Sequence, residues 1–308
     1  MTLPRRTFVR LAASAVAAPA ISGFAWAATD ARPVRIMVGF APGSAPDIIA
    51  RLIAQSLSER TGQKFMVDNR IGTGGNVATE AVVNAAPDGH TLLMVGPSNA
   101  IDVTLYDKLG FDFRHDIAPI AALVSSPHVM AAGPCLAVKT APEFIALAKA
   151  NPGKLTMASA GVGTASHLAG ELFQMQTGIT LEHIVYRGGA GAYAALLDGH
   201  VDVYFPPLIS ATNHLRSGTL RALPGSAAPG CESTTWFGIG APRNTPTDVI
   251  VRLNGTINAA LADPALAARL ADFGGSVIAG SPADFGALIA RETTKWAKVI
   301  KASGTTLS

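Results

Sequence analysis

Residues 34–52 read VRIMVGFAPGSAPDIIARL: a strand pattern, a Gly- and Pro-rich turn and a helix pattern in immediate succession. The first five residues suit a buried strand, and from Asp47 the apolar residues recur at helical spacing. A chain that repeats this unit is confined to layered α/β folds. This one does repeat it. KFMVDN leads through RIGTGGN to VATEAVVNAA, and HTLLMVG leads through Pro97 and Ser98 to a short helix near AIDVTLY. After IAALVSSPHVMAA and the Pro142-capped PEFIALAKA, KLTMAS leads through AGVG to TASHLAGELFQMQTG. LEHIVY then leads through RGGAG to AYAALLDG. The alternation predicts an α/β sandwich with mostly parallel sheets. In such sheets ligands bind beyond the carboxyl ends of the strands, which is where the Gly-rich loops fall.

Residues 1–27 stand apart. Arg5 and Arg6 precede an Ala-rich apolar stretch ending in Ala25-Trp26-Ala27, the pattern of an export signal with a small-residue cleavage site. The twin arginines followed by Phe8 suit the route that exports folded proteins, and Pro19 and the short apolar run argue against a membrane anchor. The three arginines of this segment account for the whole formal charge of +3. What remains has as many acidic as basic residues, so nothing in the charge balance seeks nucleic acid or anionic lipid. Its length exceeds the ~250 residues at which a single core stops growing, so two lobes are expected. The chain is expected to change lobe within AALVSSPHVMAAGP and to return near TTWFGIGAP. The C-terminal helices should pack back onto the first lobe. Cys135 and Cys231 are expected to be free and buried, with a disulfide as the alternative an oxidising compartment would permit.

The loops carry the candidate chemistry. Ser44 followed by Asp47 reads as a capping-box-like helix start, with Pro46 suited to the first turn. A helix start offers unpaired N–H groups and about half a positive charge, and so binds anions without a charged side chain. The same arrangement recurs where Gly161 and Gly163 precede Thr164 and Ser166, and again where Arg187 precedes Gly188 and Gly189. Each loop also has a purely structural reading, as a capped helix or a solvated arginine. GVGTAS is only a partial dinucleotide fingerprint, despite Glu182 downstream, because Ser166 stands at its third small position. No GxSxG, HExxH, CxxC or Walker loop is present. Ser166 and His167 are sequence neighbours on one helix and do not face each other as a nucleophile pair would. His167 reads equally as a ligand contact and as a brace for its loop.

The stretch from VRIMVGFAPGSAPDIIARL to DGHTLLM resembles the first lobe of the Bug-type (TctC-like) periplasmic solute receptors of tripartite tricarboxylate transporters. APEFIALAKANPGKLTMASAGVGTASHLAGELFQ and IVYRGGAGAYAALLDGHVDVYF resemble their second lobe. The resemblance implies a class II periplasmic binding protein fold: two lobes with mixed sheets and a ligand cleft between them. It places lobe 1 at 28–125 and 237–308 and lobe 2 at 126–236. It implies a receptor that captures a small carboxylate, often a dicarboxylate, for membrane subunits of the transporter. No catalysis, metal, cofactor or nucleic acid is implied, and the receptor is expected to be a periplasmic monomer. An α/β enzyme acting on a carboxylate or nucleotide is the alternative. Carried over position by position, the ligand-binding residues are Phe40, Pro42, Gly43, Ser44 and Asp47 in the first loop, with Pro97 and Ser98. The facing loops contribute Ser159, Gly161, Gly163, Thr164, Ser166 and His167, then Tyr186, Arg187 and Gly188.

Three departures stand out. GSAP replaces the family's run of glycines, so Ala45 and Pro46 reduce backbone freedom and remove an amide donor. Pro206 stands where an acidic residue is usual. The connection LRALPGSAAPGCESTTW is much shorter than the family's, which puts the return crossing in question. The signal reading carries its own test: replacing Arg5 and Arg6 by Lys should strand unprocessed precursor in the cytoplasm, as cell fractionation and immunoblotting would show.

Overall fold

The fold is described from a computed structural model covering residues 32–225 and 233–307. The signal segment, Cys231 and most of the short connection lie outside these residues. The chain runs β1 (Val34–Val38), α1 (Ala45–Thr61), β2 (Phe65–Asn69), α2 (Asn76–Val83), β3 (Thr91–Val95) and α3 (Pro97–Leu105). The short α4 (Phe113–Asp116) leads into the long β4 (Ile117–Pro127). Then come β5 (Ala131–Ala132), α5 (Ala141–Ala150), β6 (Thr156–Ser159), α6 (Ala165–Thr177), β7 (Glu182–Val185) and α7 (Gly189–Leu197). These are followed by β8 (Val203–Tyr204), α8 (Leu208–Arg216) and β9 (Arg221–Ala222). The chain ends with β10 (Thr234–Pro242), α9 (Thr247–Leu261), α10 (Pro264–Asp272), β11 (Ser276–Val277) and α11 (Pro282–Ser303).

The strands form two sheets, ordered β11-β4-β10-β3-β1-β2 and β7-β6-β8-β5-β9. Both are mixed rather than mostly parallel. In the first, β1 pairs in parallel with β2 and β3, while β10 is antiparallel to β3 and β4. In the second, β6 is parallel to β7 and β8, and β5 is antiparallel to β8 and β9. The long strands run between the sheets. β4 leaves the first sheet at Pro127 for β5 in the second, and β10 brings the chain back beside it. The backbone continues the pairing past the strand ends, with His128 N–H donating to Ser233 O and a bridge between His128 and Pro207. The return thus re-enters the first sheet antiparallel to β4, with register shifts at Phe237/Gly238 and Ile239/Gly240.

Other expectations shift at the element level. Helix α1 begins at Ala45 rather than Asp47, and the Ser44/Asp47 capping box does not form: the Ser44 side chain makes no cap bond. Asp47 accepts from Gly43 N–H and Arg51 instead. The helix near AIDVTLY starts at Pro97, so Pro97 and Ser98 are its first residues. Cys135 is exposed, not buried. Pro206 is buried, and its carbonyl accepts from Val129 N–H.

The C-terminal helices close the molecule. α9 and α11 pack on β4, and α11 also meets α3 and α6. There Trp296, Val299 and Ile300 of α11 join Ile101 and Leu105 of α3 and Leu168 of α6 in one apolar cluster. This ties a helix following the second sheet to two that cover the first. Gly163 belongs to the same contact: its φ is 74°, and a Cβ there would lie 2.1 Å from Leu105 Cδ2. Only glycine serves both demands. Trp296 is fully buried, with its indole N–H on Glu292. Trp296→Ala should therefore cost about 3–5 kcal/mol, measured as a shift in the urea unfolding midpoint at unchanged slope.

Candidate functional site

Strands β1, β3, β6, β7 and β8 direct their carboxyl ends at one region, and a cavity of about 700 Å³ lies there. Besides α8, four helices begin at its wall. α1 starts after the loop Phe40–Ser44, α3 after Gly96, α6 after Thr164 and α7 after Gly188, and residues of all four starts line the cavity. A helix leaves its first N–H groups without intrahelical acceptors, so this wall is rich in donors and positive in potential. No Asp, Glu, Lys or Arg is among the described lining residues.

Of the residues anticipated from sequence, Phe40, Pro42, Gly43, Ser44, Pro97, Ser98, Thr164, Ser166 and Gly188 line this cavity. Asp47, Ser159, Gly161, Gly163, His167, Tyr186 and Arg187 are not among its lining residues. They stand behind or beside the wall, and the reasons are legible in their bonds. The Asp47 carboxylate accepts from Gly43 N–H, Arg51 and Asn69, each at 2.9 Å. Burial raises its pKa, but these partners outweigh that and hold it below its ordinary value. Asn69 also donates to Phe40 O, so the pair pins both ends of the first loop. Ser159 is buried, exchanging hydrogen bonds with Gly161 and lying 2.7 Å from His183 Nε2.

His167 acts from the rear of α6. Its Nδ1 accepts from Gly163 N–H at 3.1 Å, which leaves the proton on Nε2, 3.6 Å from Glu171. Its ring stacks on His183 with centroids 4.0 Å apart. Gly161 is held as the acceptor of Thr164 Oγ1 at 2.8 Å, while Tyr186 packs beside Gly191. Arg187 is exposed. The hydroxyls differ in availability. Thr164 is committed to Gly161 O and lies 3.1 Å from Ser166, whose own oxygen accepts from Ala160 N–H. Ser44 Oγ is buried with no partner.

Several lining residues gave no sequence signal. Asn99 holds the α3 start, accepting from Gly96 N–H and donating to Thr79. Thr235 and Phe237 reach the cavity from β10, while Trp236 between them joins the core of the first sheet. Thr235 is fully buried, and its hydroxyl has no hydrogen-bond partner. Tyr193 of α7 donates to Ser210 of α8 and packs edge-on against Tyr204. Burial pushes the Tyr204 hydroxyl up to about 12, eased by a bond with Ser166. The alternation of Thr235, Trp236 and Phe237 could have marked two faces of one strand; nothing local said which face held a cavity.

A receptor family supplies the context for this geometry. The family model described as "Tripartite tricarboxylate transporter family receptor" matches residues 49–229 and 225–305. The chain belongs to this family. It is similar to protein BugT of Bordetella pertussis, 33% identical over 296 residues, covering 90% of this chain and 91% of BugT. Among solved structures it is similar to Rhodopseudomonas palustris Rpa4515 with adipate, at TM-score 0.86 and 31% identity, covering 91% of this chain and 99% of that one. It is also similar to MatC of the same species with bound malate, at TM-score 0.80 and 29% identity, covering 87% and 99%. The architecture is the class II periplasmic binding protein fold, and structural neighbours are solute-binding proteins.

The histidine stack beneath α6 gives the site a pH signature. His183 is pushed down to about 4 by burial and by His167, against an opposing pull from Glu171. His128 is likewise held down to about 4, chiefly by burial. Both ordinarily titrate at 6.5, so between 6.5 and 4 the unfolded chain binds more protons than the folded one. Stability therefore falls as pH drops through that window. His183→Asn should flatten the decline while leaving the part due to His128, as urea unfolding at a series of pH values would show.

Proposed function

We propose that this protein is a periplasmic receptor that captures a small organic carboxylate and delivers it to membrane subunits of a tripartite tricarboxylate transporter. The observation that carries this reading is the convergence of four helix starts on one cavity with no charged side chain in its lining. Backbone amides and dipoles favour a carboxylate and disfavour a cation. They supply no nucleophile or base, which supports capture over turnover. Adipate in Rpa4515 and malate in MatC extend the same preference to related chains. The ligand-facing set is Phe40, Pro42, Gly43, Ser44, Pro97, Ser98, Thr164, Ser166 and Gly188. Asp47, Ser159, Gly161, Gly163, His167 and Tyr186 position these loops. The receptor works as a monomer of two lobes, 28–125 with 237–308 and 126–236, after removal of the signal at 1–27. Closure turns on the crossing where β4 and β10 leave the first sheet.

The test is a thermal-shift screen of organic acids beside their amides and methyl esters. An acid at a hundred times its dissociation constant should add about 2.7 kcal/mol of stability without being consumed, whereas turnover would favour the enzyme alternative. Esters and amides should leave the melting point unchanged; an ester bound as tightly as its acid would defeat the anion reading. Ser44→Ala separates helix cap from ligand site. Its hydroxyl makes no cap bond, so the free protein should lose almost no stability. Affinity should fall about tenfold or more with loss of a hydrogen bond to a charged group. Thr164→Val should weaken binding comparably by loosening the Gly161 turn, read by calorimetric titration.

A further inference from the structure

We infer that the acid this site takes carries an aromatic ring, with its one carboxylate at the helix starts and the ring against the wall formed by α7, α8 and Phe273. The inference rests on the carboxylate reading and narrows it.

The cavity has two unlike ends. At one, the starts of α1, α3, α6 and α7 offer backbone donors. At the other, Tyr193, Leu197, Ile209 and Phe273 enclose a mostly apolar space. A fifth helix, α8, also begins here, yet its start is already used. Ile209 N–H donates to Ser126 Oγ, and Ser210 N–H and Oγ both donate to Pro207 O. With Tyr193 O–H closing on Ser210, the polar side chains this end keeps for a second carboxylate come down to the Asn213 amide and the His214 ring. No lysine or arginine in the lining could offset the cost of desolvating one.

What this end offers is rings. Of the five Phe and Tyr residues in the lining, Tyr193 and Phe273 stand at this end, while Phe40 precedes the α1 start, the Phe237 ring lies at Gly96 and Tyr204 bonds with Ser166 at the α6 start. The His214 ring lies over Tyr193 with centroids 4.6 Å apart. Phe273 is fixed at the end of α10 because Thr212 of α8 donates to its carbonyl at 2.9 Å. Ring edges and faces held this way favour a flat aromatic guest over a flexible chain.

Thr235 offers the carboxylate a further partner. It lines the cavity, paired in register with Ser126 and two residues from Phe237, whose ring lies at Gly96. Its fully buried hydroxyl has no partner in the protein. A buried hydroxyl left unpaired is destabilising, and a ligand carboxylate would satisfy it.

Calorimetric titration of the mature protein with benzoate, hexanoate, adipate and methyl benzoate tests the assignment. Benzoate should bind about tenfold or more tightly than hexanoate or adipate, and methyl benzoate should not bind. Phe273→Leu keeps apolar bulk and removes the ring, so it should weaken benzoate about three- to tenfold and leave adipate unchanged. Thr235→Val should weaken benzoate about tenfold without lowering the melting temperature of the ligand-free protein. That last readout separates a ligand contact from a structural role. Adipate or hexanoate binding as tightly as benzoate would overturn the ring inference and leave the carboxylate reading standing. Methyl benzoate binding as tightly as benzoate, or no acid binding at all, would overturn both.

Discussion

The antiparallel pairing of β4 with β10 is the constraint on which the rest depends. These strands run side by side from Ile117 and Pro242 to Pro127 and Thr234, and they are where the chain leaves the first sheet and returns to it. The paired crossing, together with the contact of Gly163 and α6 with α3, brings the loops of the two sheets to one cavity. The register also aims β10, placing Trp236 in the core and Thr235 and Phe237 at the cavity floor. A one-residue slip would exchange those faces and put a tryptophan where a ligand should lie.

A division of labour follows from the geometry. The conspicuous polar side chains of the loops hold backbone in place: Asp47 and Asn69 the first loop, Asn99 the second, His167 and Thr164 the third. Each is occupied by a main-chain or side-chain partner. Among the groups left over are first amides of these four helices and the buried hydroxyls of Ser44 and Thr235. Polar groups fixed in advance need little reordering when ligand arrives, and a neutral lining avoids burying a protein charge beside the anion.

The stability of the frame is supplied away from the site. The cluster around Trp296 joins α11, α3 and α6 through apolar contact, and Gly163 lets the third loop come within reach of it. Loop geometry at the cavity is therefore coupled to a hydrophobic contact on its far side. The same coupling links the site to pH, since His167 stacks on His183 directly behind the α6 start.

The alternation of strand, Gly-rich turn and helix determined the layered α/β class and the position of the loops, because period and turn chemistry are local properties of the chain. It also marked the stretches that line the cavity: Phe40 to Ser44, Pro97 and Ser98, Thr164 and Ser166, and Gly188. What the sequence could not settle was which side of each loop faces the cavity. Asp47 and His167 sit at helix starts like the residues that line the cavity, and only their partners Arg51, Asn69, Gly163 and His183 turn them inward. Thr235, Tyr193 and Phe273 carry no motif at all. They reach the cavity through strand register, helix packing and a carbonyl bond from Thr212, contacts between residues far apart in the chain. Local pattern fixes where a turn occurs; which atoms it leaves unpaired and facing the cavity is decided by long-range packing.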